Sequence, residues 1–290
     1  MISPQGNVSP FDVNMACDAG DDLVIPYTNV NLTDVKGLVQ DAIFSRSVNN
    51  AKKTGLFICG KDASLALDMM DVAKQSMVPP FEISVFPDPA GSFTTAAAMV
   101  ACAEKTLKEK FKTDLNGKKI VIYGGKGIVG GISAVMCSQF GSTCKIVGYD
   151  GIQNAKKKAE EYKNRFNVDV IPVDGSTDEL NSSHLPDAQI IFCAARAGTQ
   201  VLSEDQLNDA KNAMVLADVN AVPPAGLEGV DLKDDDKEHS CGALSIGALT
   251  SGDIKVKTQY KMFEKMCTSD TPQYLNFDEA LKTAREILKL

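Results

Sequence analysis

The chain has 290 residues, of which 44% are hydrophobic and 23% are charged, as is usual for a globular protein. Its formal net charge of −8 and its lack of a basic stripe argue against a nucleic-acid surface. No apolar stretch approaches the roughly 20 residues that span a bilayer, and the first ten residues lack the basic start and apolar core of a signal peptide. We therefore expect a cytoplasmic enzyme with no membrane or nucleic-acid partner and, at this length, two domains.

The first part of the chain alternates helical and strand-like patterns after an irregular opening rich in Asp and Asn. Helices are expected at residues 35–45, 63–76 and 93–111, and strands at residues 55–60 and 81–86. Ser92 precedes the third helix and is expected to cap it. Strands that alternate with helices imply a parallel sheet. We predict an N-terminal α/β substrate domain over residues 1–113, which the C-terminal residues 268–290 rejoin.

The second part, residues 114–267, has the pattern of a Rossmann-type dinucleotide-binding domain with a parallel sheet. Strands are expected at residues 119–123, 145–149, 169–173, 188–194 and 213–219. Helices are expected at residues 128–140, 153–165, 255–267 and 277–288, the last in the C-terminal segment. The dense charge run at residues 233–238 is interpreted as a solvated loop.

A glycine-rich loop between the first two of these strands is the main functional signal. It reads Gly125, Lys126, Gly127, Ile128, Val129, Gly130. Gly125 would permit a tight turn, Gly127 close approach to a pyrophosphate, and Gly130 close packing of the helix on the strand. Asp150 ends the second strand 20 residues after Gly130, where a carboxylate would bind an adenosine ribose. The alternative is a structural turn that binds no phosphate.

The ends of two later strands are expected beside the same ligand, because the carboxyl ends of strands face the crevice of an open α/β sheet. These ends carry Ala194 and Ala195 on one strand, and Asp218 and Asn220 on the other. The two alanines are small enough to let a nicotinamide ribose lie against the backbone. Ordinary packing at a strand end is the alternative interpretation.

The eight cysteines are interpreted as reduced thiols. Cys59, Cys144 and Cys193 lie in strand-like runs, and Cys102 and Cys137 in helical ones, where thiols act as small buried hydrophobic groups. The two histidines show no zinc-site spacing with them. No metal site is therefore expected.

Four segments together resemble one known family, at residues 11–13, 91–98, 217–224 and 242–247 (Phe-Asp-Val, Gly-Ser-Phe-Thr-Thr-Ala-Ala-Ala, Ala-Asp-Val-Asn-Ala-Val-Pro-Pro and Gly-Ala-Leu-Ser-Ile-Gly). The chain resembles the NAD(P)-dependent methylene-tetrahydromethanopterin dehydrogenases of methylotrophic bacteria from about residue 11 to residue 287. The resemblance implies an enzyme of one-carbon metabolism that passes a hydride from the methylene carbon of a reduced pterin to NAD(P)⁺. It also implies a homo-oligomer, either a trimer or a hexamer.

This chemistry suggests which polar residues of the N-terminal domain bind the pterin, because its N–H groups need acceptors and the developing cation favours nearby carboxylates. The candidates are Asp18, Asp22, Arg46, Asp88, Ser92, Thr94 and Thr95. Arg46 would contact the tail of the substrate. Each acid could instead be a turn former or a helix cap, and Arg46 an ordinary surface arginine.

Lys255 is the catalytic candidate. In the family that the chain resembles, a lysine that follows the Gly-Ala-Leu segment reaches the active site, and Lys255 matches it best. Residues 250–252 look like an insertion before this lysine, so Lys257 is the alternative. From the residues alone, a solvated lysine is the default interpretation.

Cofactor choice is predicted from Asp150, since a carboxylate accepts ribose hydroxyls and repels a 2′-phosphate. No Arg or Lys follows it before Lys156. We therefore expect NAD⁺ to be preferred over NADP⁺ by about tenfold or more, unless Asp150 is merely a turn residue or Lys156 reaches the phosphate. Three alternative functions stay open: a methylene-tetrahydrofolate dehydrogenase, a shikimate- or quinate-type dehydrogenase, and a sensor that binds NAD(H) without turnover.

Overall fold

The computed structural model describes residues 1–51 and 53–290, which form two units. The first unit comprises Met1–Thr94 and Val256–Ile287, and the second comprises Thr95–Lys255 and Leu288–Leu290. The functional domain limits expected at residues 113 and 267 stay a prediction. No helix in the described part of the chain is long and apolar enough to cross a bilayer.

The first unit is built around two short parallel strands, β1 and β2, that pair from Gly55↔Ser84 to Ile58↔Pro87. Its elements are α1 (Pro10–Asp18), α2 (Val35–Phe44), α3 (Val48–Ala51), β1 (Gly55–Ile58), α4 (Ala63–Gln75), β2 (Ser84–Pro87) and α11 (Phe277–Leu288). Asp62 caps α4 by accepting a hydrogen bond from the Leu65 N–H at 2.8 Å. Ala66, Met69, Met70 and Ala73 then form its buried face, because their spacing places them on one side of the helix.

The second unit contains a seven-stranded sheet in the order β5-β4-β3-β6-β7-β9-β8. Its strands are β3 (Lys119–Tyr123), β4 (Thr143–Gly148), β5 (Ile171–Asp174), β6 (Ile190–Cys193), β7 (Val215–Asp218), β8 (Asp235–Glu238) and β9 (Leu244–Ile246). All neighbours are parallel except β8, which runs antiparallel to β9. The strand order reverses between β3 and β6, and the ligand crevice of such a sheet lies at this switch point. The predicted α/β fold class with a Rossmann-type sheet is confirmed.

Two helices of the second unit, α6 (Ile128–Gln139) and α7 (Ile152–Phe166), begin within one residue of their predicted starts. Two short helices, α8 (Asp178–Ser182) and α9 (Glu204–Leu207), were not predicted. Two long helices, α5 (Ser92–Phe111) and α10 (Ala248–Thr268), each contribute residues to both units. The helix α10 begins seven residues before the predicted residue 255, so Lys255 lies inside it.

Three local predictions were wrong. The opening segment contains a helix, α1, which starts at Pro10 after Ser9, whose hydroxyl accepts from the Phe11 N–H at 3.3 Å. The charge run at residues 233–238 contains strand β8 rather than only a loop, and its exposed charges suit the edge of a sheet. Ser92 is the first residue of α5 and not its cap, because Asp88 supplies the capping carboxylate.

The cysteine prediction is confirmed, since all eight thiols are free. Five are buried, at Cys59, Cys102, Cys137, Cys144 and Cys193. Cys241 and Cys267 are partly buried, and Cys17 is exposed.

Candidate functional site

The glycine loop connects β3 to α6 at the switch point of the sheet. Gly124 has a φ of 82°, a conformation that glycine adopts without the strain of a side chain. The tight turn therefore depends on Gly124, whereas the sequence suggested Gly125. A Cβ on Gly124 would also lie 2.2 Å from the Ala194 carbonyl oxygen, so the loop approaches the end of β6 closely. Gly124 was not predicted as a site residue from the sequence, although its place directly after an apolar strand marks it.

The remaining glycines of the loop allow close packing. A Cβ would lie 2.5 Å from Ile146 Cγ2 at Gly125 and 2.6 Å from the Gly124 oxygen at Gly130. Gly127 is the N-cap of α6. Because glycine has no capping side chain, the N–H groups of the first turn are left to bind an anion. This cradle fits the pyrophosphate of a dinucleotide.

Tyr162 supports the loop from behind. Its hydroxyl donates to the Gly125 carbonyl at 3.1 Å, and the absence of a side chain at Gly131 makes room for it, since a Cβ there would lie 1.9 Å from that hydroxyl. Burial raises the pKa of Tyr162 well above its usual value, so the phenol stays a donor at neutral pH. This residue, on α7, was not identified from the sequence, because its contact joins positions 37 apart.

Asp150 lies two residues after the end of β4 and has two side-chain donors. Lys126 Nζ donates to its Oδ1, and Asn154 Nδ2 donates to its Oδ2 at 2.9 Å. The hydrogen bond from Lys126, followed by that from Asn154, lowers the pKa of Asp150. Lys126 Nζ also lies 4.2 Å from the centroid of the Tyr149 ring. Asp150 is therefore held by a lysine of the glycine loop, and its contact with a ribose stays a prediction.

The side chains at the end of β7 organise a loop. Asp218 is buried and accepts from the N–H groups of Asn220 and Leu227, each at 2.9 Å. Burial raises the pKa of Asp218 despite these hydrogen bonds. Asn220 accepts from the Gly198 N–H at 3.2 Å and the Val222 N–H at 3.0 Å. Asp218 and Asn220 therefore shape the loops at the carboxyl edge of the sheet, and any direct bond to a cofactor stays a prediction.

In the first unit, Asp88 follows β2 and is fully buried. Its Oδ1 accepts from the Phe93 N–H at 2.9 Å and the Thr94 N–H at 3.3 Å. Its Oδ2 accepts from the Thr94 hydroxyl at 2.7 Å. These bonds cap the N-terminus of α5. Helix capping therefore accounts for the hydrogen bonds of Asp88 and Thr94, two of the predicted pterin-binding residues. Ser92 is buried and Thr95 partly buried in the first turn of α5.

A buried polar cluster surrounds the end of β1. Gln259 Nε2 donates to Asp12 Oδ1 at 2.9 Å, and both side chains are buried. Burial, followed by the negative charge of Asp12, raises the pKa of the adjacent Cys59 thiol to about 12, and Asp88 adds to the effect. Two carboxylates and one amide thus gather near the carboxyl ends of β1 and β2. Neither Asp12 nor Gln259 was predicted as a site residue from the sequence, although Asp12 belongs to the first family-like segment.

The other predicted residues differ in exposure. Asp18, Asp22 and Arg46 are exposed on the first unit. Lys255 is partly buried in the first half of α10, whereas Lys257 is exposed. Within residues 1–51 and 53–290, no three His, Cys, Asp or Glu side chains are grouped as metal ligands would be.

Comparisons with known proteins assign the chain to a family. Residues 10–90 match the family model for the N-terminal part of methylene-tetrahydromethanopterin dehydrogenase. The NAD(P)-dependent methylenetetrahydromethanopterin dehydrogenase of Methylorubrum extorquens is 48% identical over 99% of this chain and 97% of its own. A second protein of that organism, named bifunctional protein MdtA, is 30% identical over 96% of this chain and 94% of its own.

Solved structures share the fold at low sequence identity. Shikimate 5-dehydrogenase of Listeria monocytogenes, solved with shikimate and NAD, aligns over 99% of this chain and 94% of its own, with a TM-score of 0.51 and 16% identity. Quinate dehydrogenase of Corynebacterium glutamicum, solved with NAD, aligns over 100% and 97%, with a TM-score of 0.53 and 15% identity. These two structures show a shared fold alone. The two sequence relatives, at 48% and 30% identity over nearly the whole chain, show the family. The chain therefore belongs to the methylene-tetrahydromethanopterin dehydrogenase family.

Proposed function

We propose that the protein oxidises methylene-tetrahydromethanopterin to the methenyl form and transfers the hydride to NAD(P)⁺. The observation that carries this proposal is the 48% identity to a dehydrogenase of this name over nearly the whole of both chains. The glycine loop, the open N-terminus of α6 and the acid after β4 supply the dinucleotide site that this reaction needs. The shikimate and quinate dehydrogenases share only the fold, so they give no argument for a hydroxy-acid substrate.

The reaction places few demands on the protein. Two nitrogens flank the methylene carbon of the substrate, and their lone pairs stabilise the cation that remains after hydride loss, so no general base is required. The bound dinucleotide supplies the nicotinamide carbon that accepts the hydride. The residues of the chain must hold the donor and acceptor carbons about 3–3.5 Å apart and exclude water. Negative charge near the developing cation would lower the barrier.

Residues of both units are assigned to these tasks as part of the proposal. In the second unit the glycine loop binds the pyrophosphate, Asp150 the adenosine ribose, and Ala194 and Ala195 leave space for the nicotinamide ribose. In the first unit the pterin contacts come from the candidate residues Asp18, Asp22, Arg46, Asp88, Ser92, Thr94 and Thr95. The buried cluster of Asp12 and Gln259 supports that site. Lys255 contacts the substrate.

NAD⁺ is the preferred cofactor because Asp150 accepts the ribose hydroxyls, and NADP⁺ is the weaker one. Residues 1–113 and 268–290 form the pterin domain, and residues 114–267 form the dinucleotide domain. The protein works in the cytoplasm as a homo-oligomer, a trimer or a hexamer, which light scattering of the purified protein would measure.

Spectrophotometric turnover with purified protein tests the substrate. Methylene-tetrahydromethanopterin, methylene-tetrahydrofolate, shikimate and quinate are each supplied with NAD⁺ and with NADP⁺. We expect much faster reduction of NAD⁺ with the methanopterin than with the folate, and no reduction with the hydroxy acids. Equal rates with the two pterins, or activity only on a hydroxy acid, would contradict the proposal.

A further inference from the structure

Lys126 occupies the centre of the glycine loop, yet its side chain is directed to the ribose end of the dinucleotide site. Its Nζ contacts the Asp150 carboxylate, 24 residues further along the chain. Asn154 donates to the other oxygen of the same carboxylate, and the Tyr149 ring lies 4.2 Å from the ammonium. One ammonium, one carboxylate and one amide therefore surround the position expected for the ribose 2′-substituent.

The charges in this group are balanced, which changes how the site treats a phosphate. A carboxylate alone repels a 2′-phosphate, but an ammonium in contact with it offsets the repulsion and provides a donor at the same place. The lysine side chain has a flexible four-carbon stem, so its ammonium is able to leave the carboxylate for a stronger anion nearby. Lys126 is also partly solvent-accessible, with 16% of its side chain exposed against 33% for Asp150.

We propose that Lys126 binds the 2′-phosphate of NADP⁺, whereas Asp150 binds the ribose hydroxyls of NAD⁺, so that this ion pair sets the cofactor choice of the enzyme. This inference rests on the proposed function, which requires the dinucleotide site. It adds the residue that admits the second cofactor. With NAD⁺, Lys126 stays on Asp150 and steadies the carboxylate. With NADP⁺, Lys126 turns from Asp150 to the phosphate, and Asn154 retains its bond to the carboxylate.

The competing candidate for this role is Lys156. It lies six residues after Asp150 on α7 and is exposed. Lys126 already contacts Asp150. The two lysines carry the same charge and belong to the same unit, which makes Lys156 a matched control for the effect of charge alone.

Binding of adenosine fragments to the full-length protein tests the inference without turnover. Isothermal titration calorimetry with 5′-AMP and with adenosine 2′,5′-bisphosphate compares ligands that differ by the 2′-phosphate. The proteins are the wild type, Lys126→Met, Lys126→Arg, Asp150→Asn and Lys156→Met. Thermal melting of each variant confirms folding.

We expect Lys126→Met to weaken binding of the bisphosphate by about tenfold or more while changing 5′-AMP binding by less than about threefold. Lys126→Arg retains bisphosphate binding, and Lys156→Met resembles the wild type. Asp150→Asn binds the bisphosphate more tightly and 5′-AMP less tightly.

The inference is overturned if Lys126→Met leaves bisphosphate binding unchanged or weakens both ligands equally, if Lys156→Met gives the selective loss instead, or if the wild type binds neither fragment. A wild type that binds both fragments but fails to oxidise methylene-tetrahydromethanopterin would contradict the proposed function. The binding data would still support the assignment of Lys126.

Discussion

Gln259 donates a hydrogen bond to Asp12 at 2.9 Å, although 247 positions separate the two residues. Both side chains are buried, at 0% and 3% exposure, so the carboxylate relies on protein donors in place of water. The bond fastens the second half of α10 to α1 within the first unit. The C-terminal part of the chain is therefore needed to complete a unit that begins at residue 1.

Replacing the donor of this bond should destabilise the protein. In Gln259→Met the side chain keeps its length, but Asp12 loses a buried partner, and we expect a loss of about 1–3 kcal/mol in the free energy of unfolding. Urea unfolding followed by circular dichroism gives the value. The control is Gln75→Met at an exposed position of α4 in the same unit. Equal stability of the two variants would contradict the importance of the bond.

The catalytic assignment of Lys255 predicts a loss of turnover. Lys255→Ala should lower the turnover rate by at least about tenfold, which is about 1.4 kcal/mol on the transition state, with an unchanged melting temperature. Lys257→Ala, two residues later at an exposed position, is the matched variant and should keep its rate. Steady-state kinetics with saturating cofactor measures both. The reverse pattern would move the assignment to Lys257.

Asp150 should determine the preference for NAD⁺. Its pKa is lowered by the hydrogen bonds from Lys126 and then Asn154, so it is ionised at neutral pH and able to accept from the ribose hydroxyls. We expect kcat/KM for NAD⁺ to exceed that for NADP⁺ by about tenfold or more, and Asp150→Ala to reduce this ratio. A wild type that favours NADP⁺, or a ratio unaffected by the substitution, would show that Asp150 does not read the ribose.

Two glycine substitutions should have different effects, one on cofactor binding and the other on stability. In Gly130→Ala the new Cβ would lie 2.6 Å from the Gly124 oxygen, so the loop must shift, and we expect NAD⁺ binding to weaken by about tenfold or more. In Gly37→Ala, on α2, the Cβ would have no heavy atom within 4 Å. That variant should gain about 0.5–1 kcal/mol in unfolding free energy, because alanine loses less backbone entropy in a helix. Calorimetric titration and urea unfolding give the two values, and a Gly130→Ala variant with full affinity would refute the packing argument.

The local pattern of the sequence predicted much of the second unit. Apolar periodicity predicts β3 and α6, and the spacing of the glycines and Asp150 predicts a dinucleotide site between them. Helix α11 also lies where its periodicity predicts, at Phe277–Leu288. Such signals are contained in windows of 10 to 20 residues.

The parts that could not be predicted depend on contacts between distant positions. The sequence gives no reason to place Lys126 on Asp150, because only the pairing of β3 with β4 brings the two residues together. The capping of α5 by Asp88 needs the turn at Ala90, which has a φ of 53°, an unusual conformation for alanine. Strand β8 forms because β9 offers an edge to it, and its own charged sequence has no strand signal.

The different burial of the thiols allows their alkylation to report on unfolding of the protein. Alkylating reagents react with the thiolate, and burial, as the largest cause, raises the pKa of Cys59 and of Cys102 to about 12. In the folded chain these two sites are shielded both by lack of access and by lack of charge, whereas Cys17 is open to solvent. The mass of an iodoacetamide-treated sample should therefore rise first by one adduct, and the slower arrival of the buried adducts would record how often each unit opens.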